Sequence, residues 1–535
     1  MGDRAGYDNF AWDRNDLAWE ESQKYFRSFS TLHKMESFVS KKFGKTATWV
    51  KPFHIGGYNN LYRMKIEGIN DCVLLRLPQP NIVLFPDEKI LAEAATASFI
   101  IQNTQIPVPQ VLFRGVSSPD SDIGPYIIIQ NVEHCNDISD VLHIPNKEDP
   151  DENHMLNPNI SEDVLESLYT KIAVHLLQLF KPSFSRIGAL AQTGENTFEV
   201  AGRPITQNMN SMLQIANIPP AALPSKDRTY STANDWYIAL AEMHVAQLVF
   251  QHNDLVKTAD DCRNKYVARQ LFLKLAKQGQ LSTFGFAEDD WSAQSQLKGQ
   301  TLTLSLAPSG TGSFRIWCDD LRPSNILLNK EDNIAAIIDW EFSYIAPTQF
   351  ALDPPWWLLL NIPEWWKADI DDWTKIYEVR LKTWLRAIET AENEKSEDGI
   401  EASSTRLSKH MCESWETGRF WLNYAARKSW AFDTIFWKYL DHRFFGSKED
   451  PTQQELARQE DPPTQEDLTE QKHITEQNLW KTRIHLLSDK ERNSMEAFVE
   501  RKMEEGKERI LIDDWDDEVV RERLHQVVGE MLGED

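Results

Sequence analysis

Cysteine is scarce in this 535-residue chain: Cys72, Cys135, Cys262, Cys318 and Cys412 are odd in number, widely spaced and never C-x-x-C. That excludes a disulfide framework and a zinc site, and it points to a reducing compartment. No apolar run reaches the length needed to span a membrane. The opening MGDRAGYDNFAWDRNDLAWEE has no apolar leader core and is too acidic for a transit peptide. Gly6 stands where a myristoylation motif requires Ser or Thr. Basic charge is short too, with 57 Lys and Arg against 82 Asp and Glu, a net charge of −25. Nucleic acid is therefore not an expected partner. The expectation is a soluble cytoplasmic protein that makes no membrane contact.

What the chain does carry is concentrated between Phe314 and Phe342, FRIWCDDLRPSNILLNKEDNIAAIIDWEF. Pro323 keeps the segment Asp320-Leu-Arg-Pro-Ser-Asn325 out of helix. The polar residues Asn329 to Asn333 predict a tight turn, and Ile334 to Ile338 predict a buried strand that delivers Asp339. Two carboxylates and one amide then converge by way of a hairpin. Oxygen donors of this kind suit a hydroxyl and a hydrated Mg²⁺ beside a nucleotide triphosphate.

These residues resemble the catalytic loop and metal-binding segment of the protein-kinase-like fold, and more closely the aminoglycoside phosphotransferase family, in a fungal subgroup called phosphotransferase enzyme family. The carriers are Asp320, the five-residue step to Asn325, and Asp339-Trp340-Glu341 beyond the hairpin. The resemblance implies an α+β bilobal fold with an antiparallel-sheet N-lobe and a mainly helical C-lobe. It implies ATP and Mg²⁺ as cofactors, Asp320 as the catalytic base, and Asn325 and Asp339 as the metal ligands. Gly56 and Gly57 in His54-Ile-Gly-Gly-Tyr-Asn-Asn60 become the loop over the phosphates, and Gln130, Asn131, Val132 and Glu133 the hinge that meets the adenine. The cation that grips the phosphates is usually Lys; here it is Arg76, a longer, planar group and not a conservative exchange. Its partner on the helix Asp87 to Gln102 is Glu93, with Glu88 as competitor near the helix start, where a carboxylate complements the dipole. Cys318 replaces the His that braces this loop in the family, and Asp319 is a rival to Asp320 that lacks the step to Asn325.

Along the chain, residues 1–34 read as a helical arm rich in aromatics, 35–133 as the smaller lobe and 134–446 as the larger lobe with an insert at about 185–310. Residues 447–535 turn to Glu, Gln, Lys and Asp and read as a charged helical tail. Within the smaller lobe, Met35 to Phe43 predicts a helix, while Val50 to Phe53, Leu61 to Ile66, Val73 to Arg76, Val111 to Gly115 and Ile127 to Val132 predict strands. Ser161 predicts the N-cap of a helix with Val164, Leu168, Ile172, Leu176 and Leu179 on its apolar stripe. Asn234 to Phe250 and Asp260 to Gln278 are strong helices of the insert. The pairs Trp356-Trp357 and Trp365-Trp366, with Trp415, Trp421 and Trp430, serve either as core or as faces for a cationic or aromatic acceptor. The expected function is ATP-dependent phosphotransfer to a hydroxyl of a small molecule. The alternative is a pseudokinase that binds nucleotide or a partner, to which Arg76 and Cys318 lend weight. A protein kinase is disfavoured because no Ala-Pro-Glu follows Asp339; Ala346-Pro347 is followed by Thr348.

Overall fold

The computed structural model describes residues 6–118, 123–144, 155–297, 303–310, 312–397, 406–448 and 477–529. Two helices come first, α1 (Asn9–Phe26) and α2 (Phe29–Phe43). Helix α2 starts earlier than the predicted Met35 because Ser28 caps it, its Oγ accepting the Thr31 N–H at 3.2 Å. Strands β1 (Ala47–Trp49), β2 (His54–Ile55), β3 (Asn59–Ile66) and β4 (Cys72–Pro78) follow, then α3 (Pro86–Asn103), β5 (Val111–Gly115) and β6 (Tyr126–Gln130). The main sheet runs β1-β3-β4-β6-β5, with β2 also on β3, and every pairing is antiparallel. The expected strand Val50 to Phe53 is absent: pairing with β3 is made by Ala47–Trp49, and the chain turns before Pro52, which has no N–H for a ladder. The strand ahead of the predicted hinge ends at Gln130, not at Val132.

Alternation along β4 orients the lobe. Leu75 and Leu77 join Met35 and Val39 of α2, Tyr62, Met64 and Ile128 in one apolar cluster. Arg76, one position over, points to the opposite face, where Ile90 and Ala94 of α3 pack on Ile127.

The larger lobe opens with β7 (Asn136–Asp137), α4 (Ile138–Leu142) and α5 (Glu162–Leu179). Ser161 caps α5 as expected, accepting from the Val164 N–H at 3.3 Å. Val164 itself is exposed, and the buried stripe is instead Leu165, Leu168, Tyr169, Ile172 and Leu179. A hairpin of β8 (Leu190–Gly194) and β9 (Thr197–Val200) leads to α6 (Gln207–Ala216), α7 (Ala233–Phe250) and α8 (Ala259–Lys277). Then come β10 (Phe314–Cys318), β11 (Ile326–Leu328), β12 (Ile334–Ile337) and β13 (Ser343–Pro347), and after them a run of helices that includes Ile370–Glu397. The architecture is α+β and two-lobed, an antiparallel sheet with α3 against a mainly helical body.

Of the charged tail, Pro451 and Pro462-Pro463 lie outside the described residues. The helices Asp489–Glu508 and Asp517–Val528 do not stand apart from the body. Met495, Phe498, Val520 and Leu524 share the main core with α7 and α8. Arg263 pairs with Glu496 at 2.7 Å, and the Gln270 side chain donates to the Val527 carbonyl at 2.9 Å.

Candidate active site

Two antiparallel pairings bring the chemistry together. Strand β10 lies against β13 with Cys318 opposite Ser343, so the residues leaving one strand and entering the other are neighbours. Strand β11 lies against β12 with Ile326 opposite Ile337, and the Ile338 N–H donates to the Asn325 carbonyl at 2.9 Å. The turn between them closes as its polar residues predict, Asn329 Oδ1 accepting the N–H groups of Glu331 and Asn333 at 3.0 Å. Asp320, Asn325 and Asp339 therefore meet, joined by Glu341: carboxylate oxygens of Asp320, Asp339 and Glu341 lie within 4.8 Å of one another. Asp339 is held at φ +64°, a left-handed conformation that Asp tolerates better than most residues.

Asp320 is buried, and Asn325 turns its amide nitrogen to it, 2.8 Å from the carbonyl and 3.3 Å from Oδ2. The Asn325 amide oxygen is then the atom it can offer to a cation. Arg322 Nε sits 3.1 Å from Asp320 Oδ1. Burial pushes the Asp320 carboxyl up to about 6 against the pull of Arg322, with Asp339 and Glu341 adding to the rise. Asp319 is differently employed: one oxygen accepts Trp317 Nε1 at 2.8 Å and the other the Gln207 N–H at 3.1 Å, at the start of α6. Cys318 braces the loop from behind, its Sγ 3.5 Å from the Glu341 carbonyl, and burial keeps it a thiol.

Arg76 is buried inside a cluster of carboxylates. Its Nη1 donates to Glu93 at 2.8 Å, while Nη2 contacts Asp339 and lies 3.1 Å from Glu341. Glu88 instead pairs with Arg203 at 2.9 Å. A second buried cation stands in the cluster: Lys89 contacts Glu341, lies 3.7 Å from Glu93 and donates to Asn59 Oδ1 at 3.1 Å. Asn59 Nδ2 in turn donates to Glu341 at 2.8 Å. Burial alone would raise Glu341, but Lys89 and Arg76 together hold its carboxyl below the ordinary value. Glu341 thus ties the glycine-loop strand, α3 and β4 to the segment that carries Asp339.

Two cavities meet on this cluster. One, of about 510 Å³, is lined by Gly56, Gly57, Arg76, Gln130 to His134, Leu327, Ile338 and Asp339, so every predicted nucleotide-side residue except Glu93 borders it. Neither glycine has a positive φ, and a Cβ at Gly57 would meet nothing within 4 Å. Of the four residues expected as a hinge, Gln130 and Asn131 give their N–H groups to the carbonyls of Gln110 and Cys72. The other cavity, of about 410 Å³, holds Asp320 and Arg322 and shares Gly57, Tyr58, Asp339 and Glu341 with the first.

The second cavity contains residues that the sequence reading did not single out. Gln207, Asn208, Ser211 and Gln214 present one polar face of α6, Lys428 and Glu364 add charge, and Tyr7, Trp12 and Asn15 come from α1 and the residues before it. Of the aromatics weighed as acceptor faces, Trp356, Trp365 and Trp430 line it. Trp357, Phe420, Trp421 and Tyr424 are core. The helical spacing of Gln207, Ser211 and Gln214 was a legible signal; the contribution of Tyr7, more than 300 residues from Asp320, had none.

No protein-family profile matches this chain, and no curated protein does. Among solved structures it is similar to a macrolide 2'-phosphotransferase type I, at 12% identity over 78% of this chain and 96% of that one, with a TM-score of 0.36. It is also similar to aminoglycoside phosphotransferase APH(4)-Ia in a ternary complex with AMP-PNP and hygromycin B, at 14% identity, 75% and 97% coverage and a TM-score of 0.33. A putative fructosamine-3-kinase from Haemophilus somnus is similar at 12% identity, 73% and 98% coverage and a TM-score of 0.34. The element order and the site geometry of this chain are those of a two-lobed α+β architecture.

Proposed function

We propose that this protein transfers the γ-phosphoryl group of ATP to a hydroxyl of a small molecule. One observation carries the reading: two cavities, one glycine-roofed and cation-bearing, the other polar and aromatic, open onto the same carboxylate cluster. A phosphoryl donor in the first and an acceptor in the second would meet beside Asp320. In transfer, the bond from the γ-phosphorus to the β–γ bridging oxygen breaks and a bond to the acceptor oxygen forms. The hydroxyl proton passes to Asp320, whose placement by Asn325 and Arg322 orients the carboxylate. Leu61, Leu74, Pro109, Ile129, Leu327 and Ile338 give the first cavity the apolar walls a flat base requires. Val132 and Glu133 are the backbone we assign to its edge.

The surroundings fit Mg²⁺: the clustered groups of Asp320, Asp339 and Glu341 offer oxygen only, with no sulfur or imidazole among them. Asp339 and the amide oxygen of Asn325 would hold the ion, which when bound neutralises phosphate charge. Glu341 is engaged by Lys89, Asn59 and Arg76 and is better placed to hold the cluster than to ligate. The test is a mass-resolved screen of metabolite pools for gain of one phosphoryl group with ATP and Mg²⁺, with Asp320→Asn as control. Transfer by wild type and not by the variant is expected; ATP consumption equal in both sinks the reading.

A second reading rests on the contact of Arg76 with Asp339. A guanidinium already on the metal-ligating carboxylate would suit a protein that binds nucleotide without Mg²⁺ and transfers nothing. Titrations of ATP with and without Mg²⁺ separate the two, because only the catalytic reading requires tighter binding with the metal.

A further inference from the structure

Helix α1 packs its C-terminal end on the sheet of the smaller lobe, and its first turns, with the residues before them, supply part of the cavity that holds Asp320. Tyr7, Trp12 and Asn15 line it together with Gln207, Gln214 and Trp430. The three are fixed there. Tyr7 stacks on Trp430 at 4.7 Å and meets Trp12 edge-on at 5.1 Å. Asn15 Oδ1 accepts from Gln214 Nε2 at 2.7 Å, an amide pair between α1 and α6 at the cavity wall. Behind them the Gly6 carbonyl accepts from Gln251 at 2.7 Å and from Trp430 Nε1 at 3.0 Å. Asp8, fully buried, caps α1 and takes the Asn253 side-chain amide at 2.8 Å.

The segment from Arg509 to Trp515, between the two tail helices, straps this helix down. Arg14 bonds Asp513 at 2.5 Å and Asn217 at 2.6 Å. Arg509 covers the Phe10 ring at 4.8 Å and pairs with Asp254 at 2.5 Å. The carbonyls of Ile510 and Ile512 accept from Asn253 and Asn217, each at 2.9 Å, and Trp515 packs on Phe250 at 5.3 Å.

We propose that α1, held by the Arg509–Trp515 strap, is the outer wall of the acceptor cavity, and that Trp12 and Asn15 select which acceptor is phosphorylated. The selection rests on the phosphotransfer reading; the wall does not. Indole faces and an amide on the α1 wall of the cavity that holds Asp320 meet a part of the acceptor other than the reacting hydroxyl, where binding discriminates without entering the chemistry.

The experiment has two arms, both on the full chain. In the first, Ser211→Cys places a thiol in the cavity lining, and its alkylation by iodoacetamide is followed by site-resolved mass spectrometry, with exposed Cys135 as the internal reference. Adding Trp12→Ala, or the surface change Arg14→Ala that loosens the strap without touching the cavity, should speed labelling about tenfold and a few-fold respectively, with Cys135 unchanged. Equal labelling in all backgrounds overturns the wall. In the second arm, transfer to a panel of amino sugars, polyols and aromatic alcohols is ranked for wild type, Trp12→Ala and Asn15→Ala. A changed ranking, expressed mainly in KM, is expected. An unchanged ranking overturns selection while leaving phosphotransfer standing. A shielded thiol in a chain that transfers to no probe defeats the phosphotransfer reading, and the selection with it.

Discussion

Arg76→Ala is the most informative single change, because it removes one of two cations from a buried cluster of three carboxylates. In wild type, Arg76 and Lys89 face Glu93, Asp339 and Glu341. Without the guanidinium, Lys89 still reaches Glu341 and Glu93, while Asp339 loses its direct ion pair and keeps only the longer-range pull of Lys89. Breaking a buried pair from one side costs about 3–5 kcal/mol, since the remaining charge is left in a poorly solvated place. The variant should lose that much stability in a metal-free buffer. Mg²⁺ should then restore more stability to Arg76→Ala than to wild type, because Asp339 no longer shares its oxygens; an ion present at a hundred times its Kd contributes about 2.7 kcal/mol. Arg76→Lys should recover only part, since a point charge on a shorter stem does not fork between Glu93 and Asp339. Thermal unfolding with and without Mg²⁺ reads the stability terms, and calorimetric titration reads ATP affinity. A loss below about 1 kcal/mol, the level of an exposed pair, would refute the buried-cluster argument. ATP affinity equal to wild type would remove Arg76 from the phosphate-anchoring role.

Asp320→Asn should lower kcat by about 10²–10⁴ while sparing nucleotide binding, as measured by single-turnover assay beside titration. Under the proposed function Asp320 must be ionised to accept the proton, and burial pushes its carboxyl up to about 6, so kcat/KM of wild type should fall as pH drops through 6. His244, buried against Phe432 with Nε2 donating to the Ala426 carbonyl at 3.1 Å, is pushed down to about 3 by burial and by Arg269. A histidine lowered in the fold binds its proton only when unfolded, so this group should cost up to about 2 kcal/mol between pH 7 and pH 5. His244→Gln should flatten that slope in denaturant unfolding; an unchanged slope would assign acid sensitivity elsewhere. Gly188→Ala should destabilise by about 1–3 kcal/mol in the same assay, because Gly188 is bonded to Ile345 of β13 through both its N–H and its carbonyl and a Cβ there would sit 2.6 Å from the Gly202 carbonyl oxygen, a backbone atom.

Local signals were enough for much of this protein. The turn from Asn329 to Asn333, the step from Asp320 to Asn325 and the apolar run before Asp339 each depend on neighbours within a few residues, so composition and spacing determined them. The same holds for the Ser161 cap, and for α7 and α8, whose apolar residues recur over five turns. Choosing Glu93 over Glu88 was also legible, because helical position separates a mid-helix carboxylate from one in the first turn. Tertiary packing decided the rest. Strand β13 went unread although it holds Asp320 and Glu341 in register, because its pairing partner β10 lies 25 or more residues upstream and burial on both faces erases alternation. Glu341 reads in sequence as one more acid beside a tryptophan; its bonds to Asn59, Lys89 and Arg76 come from three separate elements. The charged tail looks appended because its apolar residues are sparse, yet those few face one side and enter the core. Charge and periodicity report what a segment does alone. Which cavity Trp12 closes, and which carboxylate Arg76 meets, depends on contacts between residues far apart in the chain, and only the folded arrangement supplies them.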